Sequence, residues 1–117
     1  MLIWVVDDDK DIRSIVVQVL EGAGHAIQAF GSGAEALKGD ITDVQLLVTD
    51  FRLQDMNGVE LLGKLRKKKS TLAALFVTGE FPATLGDLPE QTSILEKPFS
   101  LSSLRAAVKK IAMSAQD

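Results

Sequence analysis

Apolar runs of strand length alternate along this chain with segments whose apolar residues recur at helical spacing, separated by short polar or glycine-bearing joints. A continuous run such as Leu2 to Val6 suits burial on both faces, the situation of a strand in a parallel sheet covered by crossover helices. The spacing predicts a helix on Ile12, Ile15, Val16, Val19 and Leu20 that stops at Gly22 and Gly24, then a strand over Ala26 to Phe30. A brief helix through Ala34, Ala36 and Leu37 ends at Gly39, and a third strand follows over Val44 to Thr49. Asp50 to Asn57 reads as a loop. Val59, Leu61, Leu62 and Leu65 are the inner side of the next helix, whose basic tail, Arg66 to Lys69, favours its negative end. A fourth strand spans Ala73 to Thr78. Pro82, Gly86 and Pro89 then allow only a short or irregular helix before a fifth strand at Ser93 to Glu96. Leu101, Leu104, Ala107, Val108 and Ile111 form the stripe of a last helix with Ser100 as its N-cap. The pattern is that of one α/β domain over residues 1–117 built on a parallel sheet of five strands.

Length and charge narrow the function classes. A chain of 117 residues holds one core and has no room for two. Thirteen Lys and Arg against sixteen Asp and Glu give a formal charge of −3, so no large basic field is available for direct nucleic-acid binding or for anionic lipid. The absence of cysteine excludes thiolate metal sites and disulfides, and the single histidine, His25, excludes a multi-histidine zinc cluster. The apolar runs are far shorter than a membrane span and no signal peptide is recognisable, so a cytoplasmic location is the expectation.

In an open parallel sheet, ligands bind beyond the carboxyl ends of the strands, where the winding reverses. The residues placed there are Asp7 and Asp8 after the first strand, Asp50 after the third, Thr78 after the fourth and Lys97 after the fifth. Each alone is unremarkable: Asp8, Asp9 and Asp11 could cap a helix, and Thr78 before Gly79 or Lys97 before Pro98 could be ordinary turn residues. Together they are three carboxylates, a hydroxyl and an ammonium at one end of one sheet. Clustered carboxylates are comfortable only around a cation, and oxygen-only ligation favours Mg²⁺. A phosphoryl group would then find Mg²⁺ and Lys97 on two sides and the Thr78 hydroxyl on a third, with one carboxylate left to attack phosphorus.

These residues, in this order, resemble the receiver domain of bacterial two-component response regulators across nearly the whole chain. Ile3-Trp4-Val5-Val6-Asp7-Asp8-Asp9 is similar to the opening of receivers of the nitrogen-regulatory kind. Asp50 followed by Met56-Asn57-Gly58-Val59-Glu60-Leu61 resembles the phosphoacceptor segment, and Thr78-Gly79 and Lys97-Pro98-Phe99 complete the set. The resemblance implies a flavodoxin-like, doubly wound receiver fold with strand order 2-1-3-4-5. It implies that Asp50 is the nucleophile that becomes phospho-aspartate, that Asp8, Asp50 and the backbone carbonyl of Arg52 bind Mg²⁺ directly, and that Asp7 helps through water. Thr78 is then the switch hydroxyl, Lys97 its ion-pair partner, and the Lys97-Pro98 bond is cis. The implied partners are a sensor histidine kinase or a histidine phosphotransfer protein, and a homodimer is compatible with the family. The chain would be a signalling phosphoacceptor that catalyses its own phosphorylation and dephosphorylation, not an enzyme acting on free substrates.

Three departures accompany the resemblance. Leu53-Gln54 stands where receivers commonly carry Met-Pro, Ile94 takes the place of the usual aromatic switch residue, and the segment from Thr78 to Lys97 is short, as in some receivers of hybrid sensor kinases. Rival classes fit less well. A haloacid-dehalogenase-like phosphatase wants a second Asp where Arg52 stands, and a nucleotide or flavin site wants glycines where Asp7 to Asp9 stand. A pseudo-receiver that binds partners without phosphorylation remains the alternative, and Ile94 agrees with it. Two surface features are expected as well: Val17 off the buried stripe of the first helix, on the face where phosphotransfer helices would dock, and an ion pair of Arg52 with Glu80 at the pocket rim.

Overall fold

The structure, a computed structural model, describes residues 1–79 and 88–114. The described elements are β1 (Leu2–Val6), α1 (Lys10–Gly22), β2 (Ala26–Phe30), α2 (Gly33–Leu37), β3 (Leu46–Asp50), α3 (Gly58–Arg66), β4 (Ala73–Thr78), β5 (Thr92–Glu96) and α4 (Leu101–Ser114). All strand pairs are parallel, in the order β2-β1-β3-β4-β5. The irregular helix expected between β4 and β5 lies outside the described residues.

Strand alternation divides the interior into two layers, one on each face of the sheet. Trp4 and Val6 of β1, Leu47 of β3 and Ala74 and Phe76 of β4 join Ala36 of α2 and Leu61, Leu62 and Leu65 of α3. Ile3 and Val5, Leu46 and Val48, and Leu75 and Val77 point the other way, onto Val16, Val19 and Leu20 of α1 and Leu104 and Val108 of α4. Helices on both faces make the sheet doubly wound, as expected.

Three local expectations are corrected. β3 begins at Leu46 and not at Val44: the Val44 N–H closes a turn onto Ile41, so Val44 is buried in the core as a turn residue. Ile15, placed on the inner stripe of α1, is 42% exposed, because the buried face centres on Val16, Val19 and Leu20 and leaves it on the flank. Val17, on the opposite flank, is half-buried and packs on the core. The basic tail of α3 does more than offset the helix dipole. Arg66 donates to the Leu72 and Glu90 carbonyls at 3.0 and 2.7 Å, and Lys69 Nζ donates to the carbonyls of Thr42 and Val44, tying three connections to the lower edge of the sheet.

Helix ends follow the sequence signals. Gly24, with φ of 94°, makes the left-handed turn after α1. Ser100 and Ser103 form a reciprocal capping box at α4, each hydroxyl accepting from the other's backbone N–H at 3.0 and 3.1 Å.

Candidate functional site

The reversal of winding between β1 and β3 opens a crevice at their carboxyl ends, and the predicted acid residues converge there. Three consecutive aspartates after β1 divide their tasks. Asp9 is the N-cap of α1, its Oδ1 accepting from the N–H groups of Asp11 and Ile12 at 2.9 and 3.2 Å. Asp7 is buried, receives the Asp9 N–H on Oδ1 at 2.9 Å and is held by its backbone on both sides: its N–H donates to Phe30 and its carbonyl accepts from the Arg13 guanidinium at 2.8 Å. Asp7, Asp8 and Asp50 each offer a carboxylate oxygen, and these oxygens lie within 4.8 Å of one another. Such a set of hard, anionic oxygens fits a small divalent cation.

Lys97 reaches in from the end of β5. Its Nζ donates to Asp50 Oδ2 at 2.9 Å and stands 3.8 Å from Asp7 Oδ2. The lysine is placed by its own backbone, whose N–H donates to the Thr78 carbonyl at 2.9 Å; the bond to Pro98 is cis, as expected. Thr78, 3% exposed, ends β4 one residue beyond Val77, which pairs with Asp50. The other oxygen of Asp50 accepts the Arg52 N–H at 3.1 Å.

Electrostatics reflect this crowding. Burial raises the Asp7 carboxyl above its ordinary range, Asp50 and Asp8 push it further, and the Asp9 N–H and Lys97 oppose the rise. Burial also works against the Lys97 ammonium, but the hydrogen bond to Asp50 and the charges of Asp7, Asp50 and Asp9 outweigh it and hold its pKa above the usual lysine value.

Phe51 to Asn57 connect Asp50 to α3 as a tight hairpin. Leu53 N–H donates to the Met56 carbonyl at 3.0 Å, Gly58 N–H to the Phe51 carbonyl at 2.7 Å, and Arg52 forms an antiparallel bridge with Asn57. Asn57 caps α3 through the Glu60 N–H at 2.8 Å. Gly58 is required by closeness: a Cβ there would lie 2.8 Å from the Asp50 carbonyl oxygen and 3.2 Å from the Phe76 ring. Arg52 is exposed on this hairpin, and Glu80, its expected rim partner, lies outside the described residues. Sequence reasoning finds Asp7, Asp8, Asp50, Thr78 and Lys97 because each ends a strand. It misses Arg13, whose backbone contact with Asp7 spans six residues and leaves no periodic signal.

The comparisons with known proteins agree with the geometry. The response regulator receiver protein CpdR of Brucella abortus is 32% identical over 117 residues, covering 97% of this chain and 98% of that protein. The C4-dicarboxylate transport transcriptional regulatory protein DctD of Rhizobium meliloti is 29% identical, and there the match spans only 24% of the relative's length. Among solved structures, a CheY-like receiver domain protein of Methanospirillum hungatei superposes with a TM-score of 0.86 at 27% identity, covering 98% of this chain and 96% of that one. The response regulator TrrA of Thermotoga maritima, solved in complex with Mg(2+)-BeF, gives 0.79 at 29% identity over 94% of this chain and 97% of its own. Residues 3–109 match the response regulator receiver domain family, and with five parallel strands in the order 2-1-3-4-5 the chain belongs to it.

Proposed function

We propose that this receiver accepts a phosphoryl group on Asp50 in a Mg²⁺-dependent reaction, from the phosphohistidine of a sensor kinase or phosphotransfer protein. The observation that carries the reading is the convergence of Asp7, Asp8 and Asp50, whose carboxylate oxygens lie within 4.8 Å of one another, with the Lys97 ammonium seated on Asp50. An Asp50 carboxylate oxygen attacks phosphorus in line while the phosphorus–nitrogen bond to the histidine breaks, and the imidazole leaves. Asp7, Asp8, Asp50 and the Arg52 carbonyl would hold Mg²⁺, which when bound supplies charge neutralisation at the phosphoryl oxygens. Lys97 neutralises another of those oxygens, and Thr78 donates a hydrogen bond from the end of β4.

On this reading the chain promotes its own phosphorylation and the hydrolysis that ends it, with no free substrate turned over. Ile15 supplies an exposed apolar contact on α1, whose first turn starts beside Asp7 and Asp8, for the helix that presents the phosphohistidine. Among the described residues no helix is long and apolar enough to cross a membrane.

The test is incubation with Mg²⁺ and acetyl phosphate followed by intact mass measurement. An adduct of about 80 Da is expected on the wild type and not on Asp50→Asn. A wild type that takes up no adduct from any small donor or kinase would favour a phosphorylation-independent interaction module, the reading with which half-buried Ile94 agrees.

A further inference from the structure

The hairpin after Asp50 is fastened to a distant part of the chain. Asp55, at its tip, accepts the Gly33 N–H on Oδ1 at 3.2 Å and the Ala34 N–H on Oδ2 at 2.9 Å. Those N–H groups open α2 and have no partner inside the helix; Ser32 Oγ takes the next one, from Glu35, at 3.1 Å. The contact is sealed by Met56, whose side chain lies so close over Gly33 that a Cβ there would be 2.6 Å from its Sδ. One carboxylate and one thioether thus pin the far end of the hairpin, while Leu53 is buried and Asn57 anchors the near end to α3. Gln54 stands in this hairpin where receivers commonly carry a rigid proline.

We propose that Asp55 is a positioning residue for phosphoacceptance: its clasp on Gly33 and Ala34 holds the hairpin that carries the Arg52 carbonyl, in place of the stiffness a proline would give. A free hairpin of seven residues would sample many conformations, and ordering it at the moment of cation binding would weaken that binding. Asp55 and Met56 remove that freedom beforehand. The proposal rests on the phosphoacceptor reading for its consequence, and on the Asp55 and Met56 contacts alone for the clasp.

The experiment compares the wild type with Asp55→Ala, Asp55→Asn and a control, Asp40→Ala, whose carboxylate accepts the Thr42 N–H in a local turn of the α2–β3 connection. The first readout is amide exchange at Leu53 in Mg²⁺-free protein, because that N–H donates to the Met56 carbonyl within the hairpin and not to a group of α2. Exchange at Leu53 is expected to quicken about tenfold in Asp55→Ala, less in Asp55→Asn, which keeps one acceptor oxygen, and not at all in Asp40→Ala. The second readout is the Mg²⁺ concentration that half-saturates acetyl-phosphate labelling, expected to rise about tenfold in Asp55→Ala with the rate at saturating Mg²⁺ nearly kept. A carboxylate that merely caps α2 would leave both readouts at wild-type values, and that result overturns the proposal. Should the wild type itself take no label, the phosphoacceptor reading falls, while Leu53 exchange still decides whether the clasp holds the hairpin.

Discussion

Replacing Asp7 with Asn removes one charge from the acid pocket and changes its shape little. The amide oxygen can still accept the Asp9 N–H, and the backbone bonds to Phe30 and Arg13 are unaffected. Asp7 sits with Asp8 and Asp50 within 4.8 Å and with Lys97 Nζ at 3.8 Å. At an effective dielectric of about 20, each carboxylate neighbour repels it by roughly 3 kcal/mol and Lys97 attracts it by roughly 4 kcal/mol. Burial, the largest contribution, and the two repulsions act against the Asp7 charge, the Asp9 N–H and Lys97 act for it, and with water at the pocket mouth the balance against the charge is about 1–2 kcal/mol. Asp7→Asn should therefore stabilise the Mg²⁺-free fold by that amount, raising the melting temperature by about 4–8 °C.

The sign of the pH dependence follows from the raised Asp7 carboxyl. A folded state that holds the proton more tightly than the unfolded one loses stability as pH climbs from the ordinary carboxylate value, 3.8, through the raised one. The cost is complete above the raised value and absent below the ordinary one. Urea unfolding, followed by the fluorescence of buried Trp4, should show the Asn variant ahead at about pH 7.5 and the gap narrower at about pH 4.5. Mg²⁺ at ten times its dissociation constant should add about 1.4 kcal/mol to the wild type and less to the variant. An Asn variant less stable than the wild type at neutral pH, or a gap that ignores pH, would refute the electrostatic account.

Three further outcomes are expected. Gly58→Ala should destabilise by about 1–3 kcal/mol in chemical unfolding, since its Cβ would meet the Asp50 carbonyl oxygen at 2.8 Å, and should slow labelling of Asp50 as well. Ile15→Glu should change stability by less than about 0.5 kcal/mol and leave acetyl-phosphate labelling intact, while slowing transfer from a cognate kinase; equal loss with both donors would refute a docking role. Lys97→Met should lower stability relative to the wild type below the ordinary lysine pKa of 10.5, with the difference closing as pH rises through the higher folded-state value, measured by urea unfolding across alkaline pH.

The strands and the acid site are legible in the sequence for one reason. A strand buried on both faces must be a short continuous apolar run, so its end is marked by the first polar residue, and in this topology that residue faces the crevice. Asp7 and Thr78 are found by that rule directly, and Asp50 and Lys97 one residue further on, after Thr49 and Glu96. The start of β3 is misjudged because burial and strand pairing are different things: Val44 is as buried as Leu46 yet sits in a turn. On α1, Ile15 and Val17 flank the same stripe, and which of them tilts inward depends on the packing of α1 against α4, which periodicity does not encode. Asp55 is invisible for another reason. Its partners are 21 and 22 residues away in the chain and are backbone groups, so no side-chain pattern announces them.

The placement of Lys97 also bears on how a signal could leave a site that lacks the usual aromatic. Ile94 pairs with Phe76 across β4 and β5 and packs against the α3-side layer, where an aliphatic side chain has no ring to turn outward. The Lys97 ammonium, by contrast, donates to the very carboxylate proposed to be phosphorylated, at 2.9 Å. Phosphorylating an Asp50 oxygen removes the carboxylate charge and puts the new negative charge on phosphoryl oxygens further out, so the best position for the ammonium moves outward with it. Lys97 is tied to Thr78 through its backbone N–H, which donates to the Thr78 carbonyl, and on the proposed chemistry the Thr78 hydroxyl donates to the same phosphoryl group. The two residues end adjacent strands, β4 and β5, whose last paired residues are Thr78 and Glu96. On the proposed chemistry the rearrangement therefore enters the β4 and β5 ends as a pair, through one ammonium and one hydroxyl coupled by a backbone hydrogen bond, and needs no ring rotation at Ile94.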